Sequence, residues 1–65
     1  MPFEYKPGQI IRLKGKWGGY AATVIKVTDF MLTILFEDLK ETTLIIMEHV
    51  REMENNGEIE LVSRS

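Results

Sequence analysis

Between residues 30 and 37 the chain alternates large apolar side chains with other residues, and this pattern constrains the fold more than any other feature. Every second position holds an apolar residue: Phe30, Leu32, Ile34 and Phe36. Side chains two residues apart lie on one face of a β-strand. The pattern therefore predicts a strand over 30–37 whose apolar face forms the centre of a core.

Four further segments have the composition of strands and are separated by turn-forming residues. They cover residues 9–14, 20–27, 41–47 and 58–62. They contain many β-branched residues, and glycine, proline, asparagine or aspartate stands between them. Short strands in so small a chain invite aggregation unless their edges are closed. We therefore predict an all-β fold, a small closed barrel of about five strands.

Residues 44–55 admit two predictions. Apolar residues at helical spacing are Ile46, Val50 and Met53. Because Asn56 and Gly57 would end a helix well, one continuous helix over 44–55 is the alternative. We favour a strand through Met47, followed by one or two helical turns across 48–54.

The chain has 65 residues, which is enough for one domain only. Residues 1–6 are expected to form an N-terminal arm and residues 63–65 a tail. Cysteine is absent, so a compact core or self-association must supply the stability that disulfides give other small domains. The predicted core consists of Leu13, Val24, Phe30, Leu32, Ile34, Phe36, Ile46 and Ile59.

Charge is distributed unevenly along the chain, although the net charge is only −2. Residues 1–26 contain five basic side chains and one acidic side chain, whereas residues 27–65 contain three basic and nine acidic ones. The asymmetry predicts two faces with different electrostatic preferences. No apolar run approaches the length of a membrane span, and the N-terminus does not resemble a signal peptide. We therefore expect a cytoplasmic protein without a membrane partner.

The glycine-rich segment 15–19 is predicted to form a shaped loop. Basic and aromatic residues near it make up the predicted binding site: Arg12, Lys14, Lys16, Trp17, Tyr20 and Lys26. Cations neutralise phosphates and aromatic rings stack on bases, so nucleic acid is one expected partner. The same residue types are enriched at protein-binding hot spots, so a protein partner stays open. The aromatic rings could instead pack onto the core.

Catalytic and metal-binding residues are poorly represented. His49 is the single histidine, and the only serines are Ser63 and Ser65 in the tail. One histidine without cysteine makes a poor site for a transition metal, and no serine stands beside a plausible base. We expect no enzymatic activity, no metal and no cofactor.

Residues 15–27 resemble the KOW motif of NusG-type transcription factors and ribosomal proteins. A loop of glycines with Trp17 is followed by Tyr20 and by a β-branched strand that ends at Val27. Ala22 stands where the family has a characteristic glycine. Residues 41–50 resemble the closing strand and helical turn, so the resemblance covers roughly residues 7–53. It implies a five-stranded SH3-like barrel with a short helical turn before the last strand. Family members contact RNA, RNA polymerase or ribosomal components.

The sequence therefore predicts a non-catalytic module that contacts RNA, DNA or a nucleoprotein machine through the basic and aromatic loop. A protein–protein adaptor is one alternative. Another is a small inhibitor that uses an acidic side to imitate nucleic acid or to block a basic surface. That acidic side would consist of Glu48, Glu52, Glu54, Glu58 and Glu60.

Overall fold

A computed structural model describes residues 4–63 of the chain. The five strands are β1 (Ile10–Leu13), β2 (Tyr20–Val27), β3 (Met31–Phe36), β4 (Glu41–Ile46) and β5 (Ile59–Ser63). A 3-10 turn, Gly15–Trp17, joins β1 to β2, and one helix, α1 (Met47–Asn55), joins β4 to β5. The predicted arm and tail lie in part outside the described residues.

The five strands form one antiparallel sheet in the order β4-β3-β2-β1-β5. The first four strands run as a meander, and β5 returns to pair with β1. The prediction of an all-β fold with five strands and one short helix is thus confirmed. The predicted closure is not seen, because β4 and β5 end the sheet without pairing with each other in the described part of the chain.

The ambiguous stretch is a strand followed by a short helix. β4 ends at Ile46 and α1 begins at Met47, so the single helix over 44–55 is wrong. The Met47 N–H donates to the Phe30 carbonyl over 2.7 Å, which extends the β3–β4 ladder to the start of the helix. At the other end Gly57, with φ of 73°, donates its N–H to the Glu54 carbonyl. The nine residues of α1 make about two and a half turns.

The core lies between one face of the sheet and α1. Its buried side chains are Tyr5, Ile11, Leu13, Ala22, Val24, Leu32, Ile34, Phe36, Ile45, Val50, Met53 and Ile59. The helix supplies Val50 and Met53, whose burial completes the side of the core that the sheet leaves open. Six of the eight predicted core residues are among those buried.

The prediction is wrong for the other two residues, Phe30 and Ile46, which are 79% and 54% exposed. Phe30 precedes β3 in a turn in which the Thr28 hydroxyl accepts hydrogen bonds from the N–H groups of Phe30 and Met31. In β4 it is Ile45 that lies opposite the buried Leu32, so its neighbour Ile46 faces solvent. A shift of one residue in a strand exchanges the two faces.

Candidate binding surface at the β1–β2 loop

The β1–β2 loop has a fixed backbone shape. The Gly18 N–H donates to the Gly15 carbonyl over 3.0 Å, and the Gly19 N–H donates to the Leu13 carbonyl over 2.8 Å. Gly18 and Gly19 have φ of 81° and 78°, a backbone region that residues with a side chain rarely adopt. The glycines therefore let the loop turn back immediately onto β1 and hold the neighbouring side chains in place.

Trp17 anchors this loop to the core. Its ring stacks on Phe36, with centroids 6.0 Å apart and an interplanar angle of 19°. The side chain is partly buried, and its Nε1 is a buried donor without a hydrogen-bond acceptor among residues 4–63. The geometry matches the alternative in which Trp17 packs onto the core. With one face against Phe36, the ring has little free surface on which a base could stack.

Arg12 and Lys14 are both close to an acidic side chain. Glu60 on β5 lies opposite Arg12 in the sheet register. Its Oε1 is 3.9 Å from Arg12 Nη1 and 3.8 Å from Lys14 Nζ, and all three side chains are about half exposed. The predicted separation into a basic face and an acidic face is therefore wrong, because β5 brings acidic residues directly beside the basic strand.

A second glutamate borders the loop. Glu58 accepts the Lys14 N–H at its backbone carbonyl over 2.7 Å. Its carboxylate packs against Gly15 so closely that a Cβ there would lie 2.5 Å from Oε2. The loop is thus surrounded by both signs of charge.

Two exposed residues complete the surface. Lys16 projects from the 3-10 turn, and Tyr20 is 42% exposed at the start of β2. The Tyr20 ring lies over Gly18, where a Cβ would approach it to 3.2 Å. We call the group Arg12, Lys14, Lys16, Tyr20 and Glu60 the loop surface.

Lys26 does not belong to the loop surface. It is exposed near the far end of β2 and pairs in register with Thr33, whereas Arg12 pairs with Ala21. Five residues of strand separate Ala21 from Lys26, which corresponds to about 17 Å at roughly 3.3 Å per residue. The structure therefore gathers five of the six predicted residues, of which Trp17 faces inward.

The acidic side proposed from the sequence is not one surface either. Glu58 and Glu60 border the loop, whereas Glu48 and Glu52 are exposed on α1. Glu54 is only 7% exposed in its side chain and is held in a polar cluster on the inner side of the helix. A partner that reads a continuous row of carboxylates would not find one here.

That polar cluster joins the N-terminal segment to α1. The Tyr5 hydroxyl and Arg51 Nη1 both donate to Glu54 Oε2, and the Arg51 guanidinium lies 6.0 Å from the centre of the Tyr5 ring. Burial raises the pKa of Tyr5 well above its ordinary value; the hydrogen bond to Glu54 and its charge add to this, while the charge of Arg51 opposes it. An open cleft of about 430 Å³ lies beside the cluster.

Residues 4–63 contain no group of three or more histidine, cysteine, aspartate or glutamate side chains that could hold a metal ion. His49 is half-buried on α1. Within the same range, no helix is long and apolar enough to cross a membrane.

The chain was also compared with models of protein families, with curated proteins and with solved structures, and none of these comparisons gives a match. The KOW resemblance stays a prediction from the sequence. Any assignment of function therefore has to come from the surfaces described above.

Proposed function

We propose that this chain is a non-catalytic binding module that recognises a protein partner through the loop surface. The observation that carries the proposal is the mixture of charges around an exposed tyrosine. Arg12 and Lys14 lie within 4 Å of Glu60, and Tyr20 projects beside them. Tyrosine and arginine are typical of protein-binding hot spots, and alternating charges give a protein interface its specificity.

Nucleic acid fits this surface less well. A phosphate backbone is bound by uniformly basic grooves, because affinity comes from cations that displace counterions. Glu60 lies within 4 Å of two of the three cations on the loop surface and partly neutralises their charge. The Trp17 ring is already stacked on Phe36. A ring that could serve as a stacking platform remains only at Tyr20.

The strand order supports an SH3-like, KOW-type fold as part of the proposal. Five strands with a short helix before the last one are what the KOW resemblance implies, and this chain has both. That relationship would make protein components of RNA polymerase or of the ribosome, in the cytoplasm, the first partners to test.

Direct contact with RNA or DNA is the second candidate. It is favoured by one observation: Arg12, Lys14 and Lys16 all project from the same end of the β1–β2 hairpin. Binding through these side chains should weaken steeply as salt rises.

Affinity capture from a nuclease-treated lysate tests the proposal. The double variant Lys16→Glu, Tyr20→Ala should lose at least nine-tenths of the captured partner, while its circular dichroism spectrum stays unchanged. The control Lys26→Glu makes the same charge change about 20 Å from Tyr20 along β2, and should capture the partner normally.

Three results would lead elsewhere. If nuclease abolishes capture and labelled RNA or DNA binds with a steep salt dependence, the second candidate replaces the first. If Glu48→Lys with Glu52→Lys abolishes capture and the loop variant does not, the inhibitor reading from the acidic helix is favoured. If all variants capture equally, the loop surface is not the binding site.

A further inference from the structure

The opposite edge of the sheet carries a second feature that the loop surface does not explain. β4 ends the sheet and, among the described residues, pairs only with β3. Its outward-facing side chains Leu44 and Ile46 are 58% and 54% exposed, and Met31 on β3 pairs in register with Ile46. We call Met31, Leu44 and Ile46 the β4 patch.

The backbone of β4 is suited to pairing with another strand. Because the Met47 N–H donates to Phe30, the alternation of an antiparallel ladder directs the backbone groups of every second residue toward β3. The residues between them, Thr42, Leu44 and Ile46, direct their N–H and C=O groups away from the sheet. The free hydrogen-bonding groups and the exposed apolar side chains therefore belong to the same residues.

β4 has fewer of the devices that protect sheet edges than β5 has. Its pairing with β3 runs without a bulge from Met31–Ile46 to Phe36–Glu41, and its one charged residue, Glu41, is the first of the strand. β5, at the other end of the sheet, has a register shift against β1 and carries Glu60 in ion pairs near its centre. Bulges and charges of this kind oppose edge-to-edge pairing, so β4 is the more open of the two edges.

We propose that β4 is the pairing edge of a homodimer. Two copies would align their β4 strands antiparallel about a two-fold axis at Leu44, which would form a continuous sheet of ten strands. In this register Thr42 faces Ile46 of the other copy, and all the outward backbone groups find partners. The two β4 patches then become neighbours on one face of the continuous sheet.

The charges at the two ends of β4 favour a second copy of this chain, rather than an unrelated protein, as the partner of β4. The same register brings Lys40, just before β4, toward Glu48 of the other copy, just after β4, at both ends of the paired strands. Both side chains are exposed and of opposite sign. Opposite charges that flank the two ends of a strand, as Lys40 and Glu48 do, face each other when a second copy of the strand is reversed.

The size of the surface predicts a reversible dimer. Standard stable interfaces take about 800 Å² from each partner, which is about a fifth of the 4437 Å² surface of this chain. One six-residue strand and its patch cover less than that. The dimer should therefore be weak and dissociate on dilution, and it would present two loop surfaces to one partner, which raises avidity without new contacts.

Sedimentation equilibrium from low micromolar to near-millimolar concentration tests the dimer. The wild type should approach twice the 7.5 kDa mass of one chain. Leu44→Lys places two lysines opposite each other at the axis and should stay monomeric. Ile25→Lys and Val62→Lys introduce the same charge at exposed apolar positions on β2 and β5, and should dimerise as the wild type does.

A single cysteine gives a readout of register that does not require a charged substitution. The chain has no cysteine of its own, so Leu44→Cys creates one thiol per copy. Facing residues of a hydrogen-bonded pair lie about 5.5 Å apart at Cα, within reach of a disulfide. Mild oxidation should give a covalent dimer of Leu44→Cys much faster than of Ile46→Cys or Ile25→Cys.

Several results would overturn the proposal. These are a monomer at every concentration, a dimer that Leu44→Lys leaves intact, a dimer that Val62→Lys disrupts in its place, and equal rates of oxidation at the three cysteine positions. A monomer whose partner capture is lost in Leu44→Lys would assign β4 to a foreign protein. None of these results bears on the loop surface, which is tested by Lys16 and Tyr20.

Discussion

The two ends of the sheet solve the problem of an exposed edge in different ways. At the β5 end the register is interrupted by a bulge, and Glu60 lies between Arg12 and Lys14. At the β4 end the register is regular and the outward side chains are Leu44 and Ile46. The β5 edge has an interrupted register and a charged residue near its centre, whereas the β4 edge has a regular register and a charged residue only at its first position, Glu41.

The difference shows why composition alone is a poor guide to the surfaces of this chain. The loop surface has the residues expected of a nucleic-acid site, yet β5 supplies glutamates that neutralise much of it. The β4 patch contains no charged or catalytic residue that would suggest a site in the sequence. An edge strand with exposed apolar side chains is nevertheless unusual in a monomeric protein. We propose that the first region recognises a partner and that the second mediates self-association.

The largest difference in stability is expected between a substitution at a residue that supports the loop and one at a residue on the β4 edge. Phe36→Ala removes a buried ring and the surface on which Trp17 stacks, so it should cost about 3–5 kcal/mol and unfold so small a domain. Leu44→Ala removes an exposed side chain and should change stability by about 0.5 kcal/mol or less.

Urea denaturation followed by Trp17 fluorescence measures both variants, at protein concentrations low enough to keep them monomeric. A folded Phe36→Ala protein with near-normal stability would show that the loop does not depend on this ring.

The next effect separates two glycines within the loop. Gly15 and Gly19 both have positive φ, for which alanine costs about 1–2 kcal/mol. A Cβ at Gly15 would also displace the flexible end of the Glu58 side chain, whose Oε2 lies 2.5 Å from it, whereas at Gly19 nothing lies within 4 Å. Gly15→Ala should therefore destabilise slightly more than Gly19→Ala in thermal unfolding, and a smaller loss at Gly15 would contradict the packing of Glu58 on the loop.

A substitution in the polar cluster around Glu54 should change stability without changing either binding surface. Tyr5→Phe removes the hydrogen bond to the nearly buried Glu54 carboxylate and should cost about 1–2 kcal/mol. It should leave partner capture and dimerisation unchanged.

The same residue predicts a dependence on pH. Because folding raises the pKa of Tyr5 above its ordinary 10.0, the folded protein keeps a proton that the unfolded chain loses. The stabilisation is complete below pH 10 and is lost as pH rises beyond it. Wild type should therefore lose more stability than Tyr5→Phe when denaturation is repeated above pH 10. Parallel losses would contradict the burial of this hydroxyl.

The smallest effect on stability, and the sharpest on recognition, is expected at Glu60. Its ion pairs are half exposed, so Glu60→Gln should change the free energy of unfolding by less than about 0.5 kcal/mol. The substitution should lower the affinity for a protein partner that contacts both the basic side chains and Glu60. If nucleic acid is the ligand, the same variant should bind more tightly at low salt, because it removes a negative charge beside the phosphates.

The sequence predicted the strands well and the outward-facing residues poorly. The alternation Leu32–Ile34–Phe36 and the glycines of the loop are local signals, and both were interpreted correctly. Phe30 continued the same alternation but lies in a turn formed by Thr28, and Ile46 differs from the buried Ile45 only by register. Such errors arise because strand ends and register depend on the partner strand.

The charge pattern could not have been predicted without the topology. Glu60 becomes part of the loop surface only because β5 returns to β1, a contact between residues nearly 50 positions apart in the chain. The inward direction of Trp17 likewise depends on Phe36 on another strand.

The separation of the two surfaces is tested most directly by amide NMR spectra recorded over a concentration series. Dimerisation through β4 should shift or broaden the amides of residues 41–47 and of Phe30 and Met31 as concentration rises. The amides of residues 14–20 and the indole N–H of Trp17 should stay unchanged. Concentration-dependent shifts in the loop with an unchanged β4 would contradict the account, since they would make the loop surface the site of self-association.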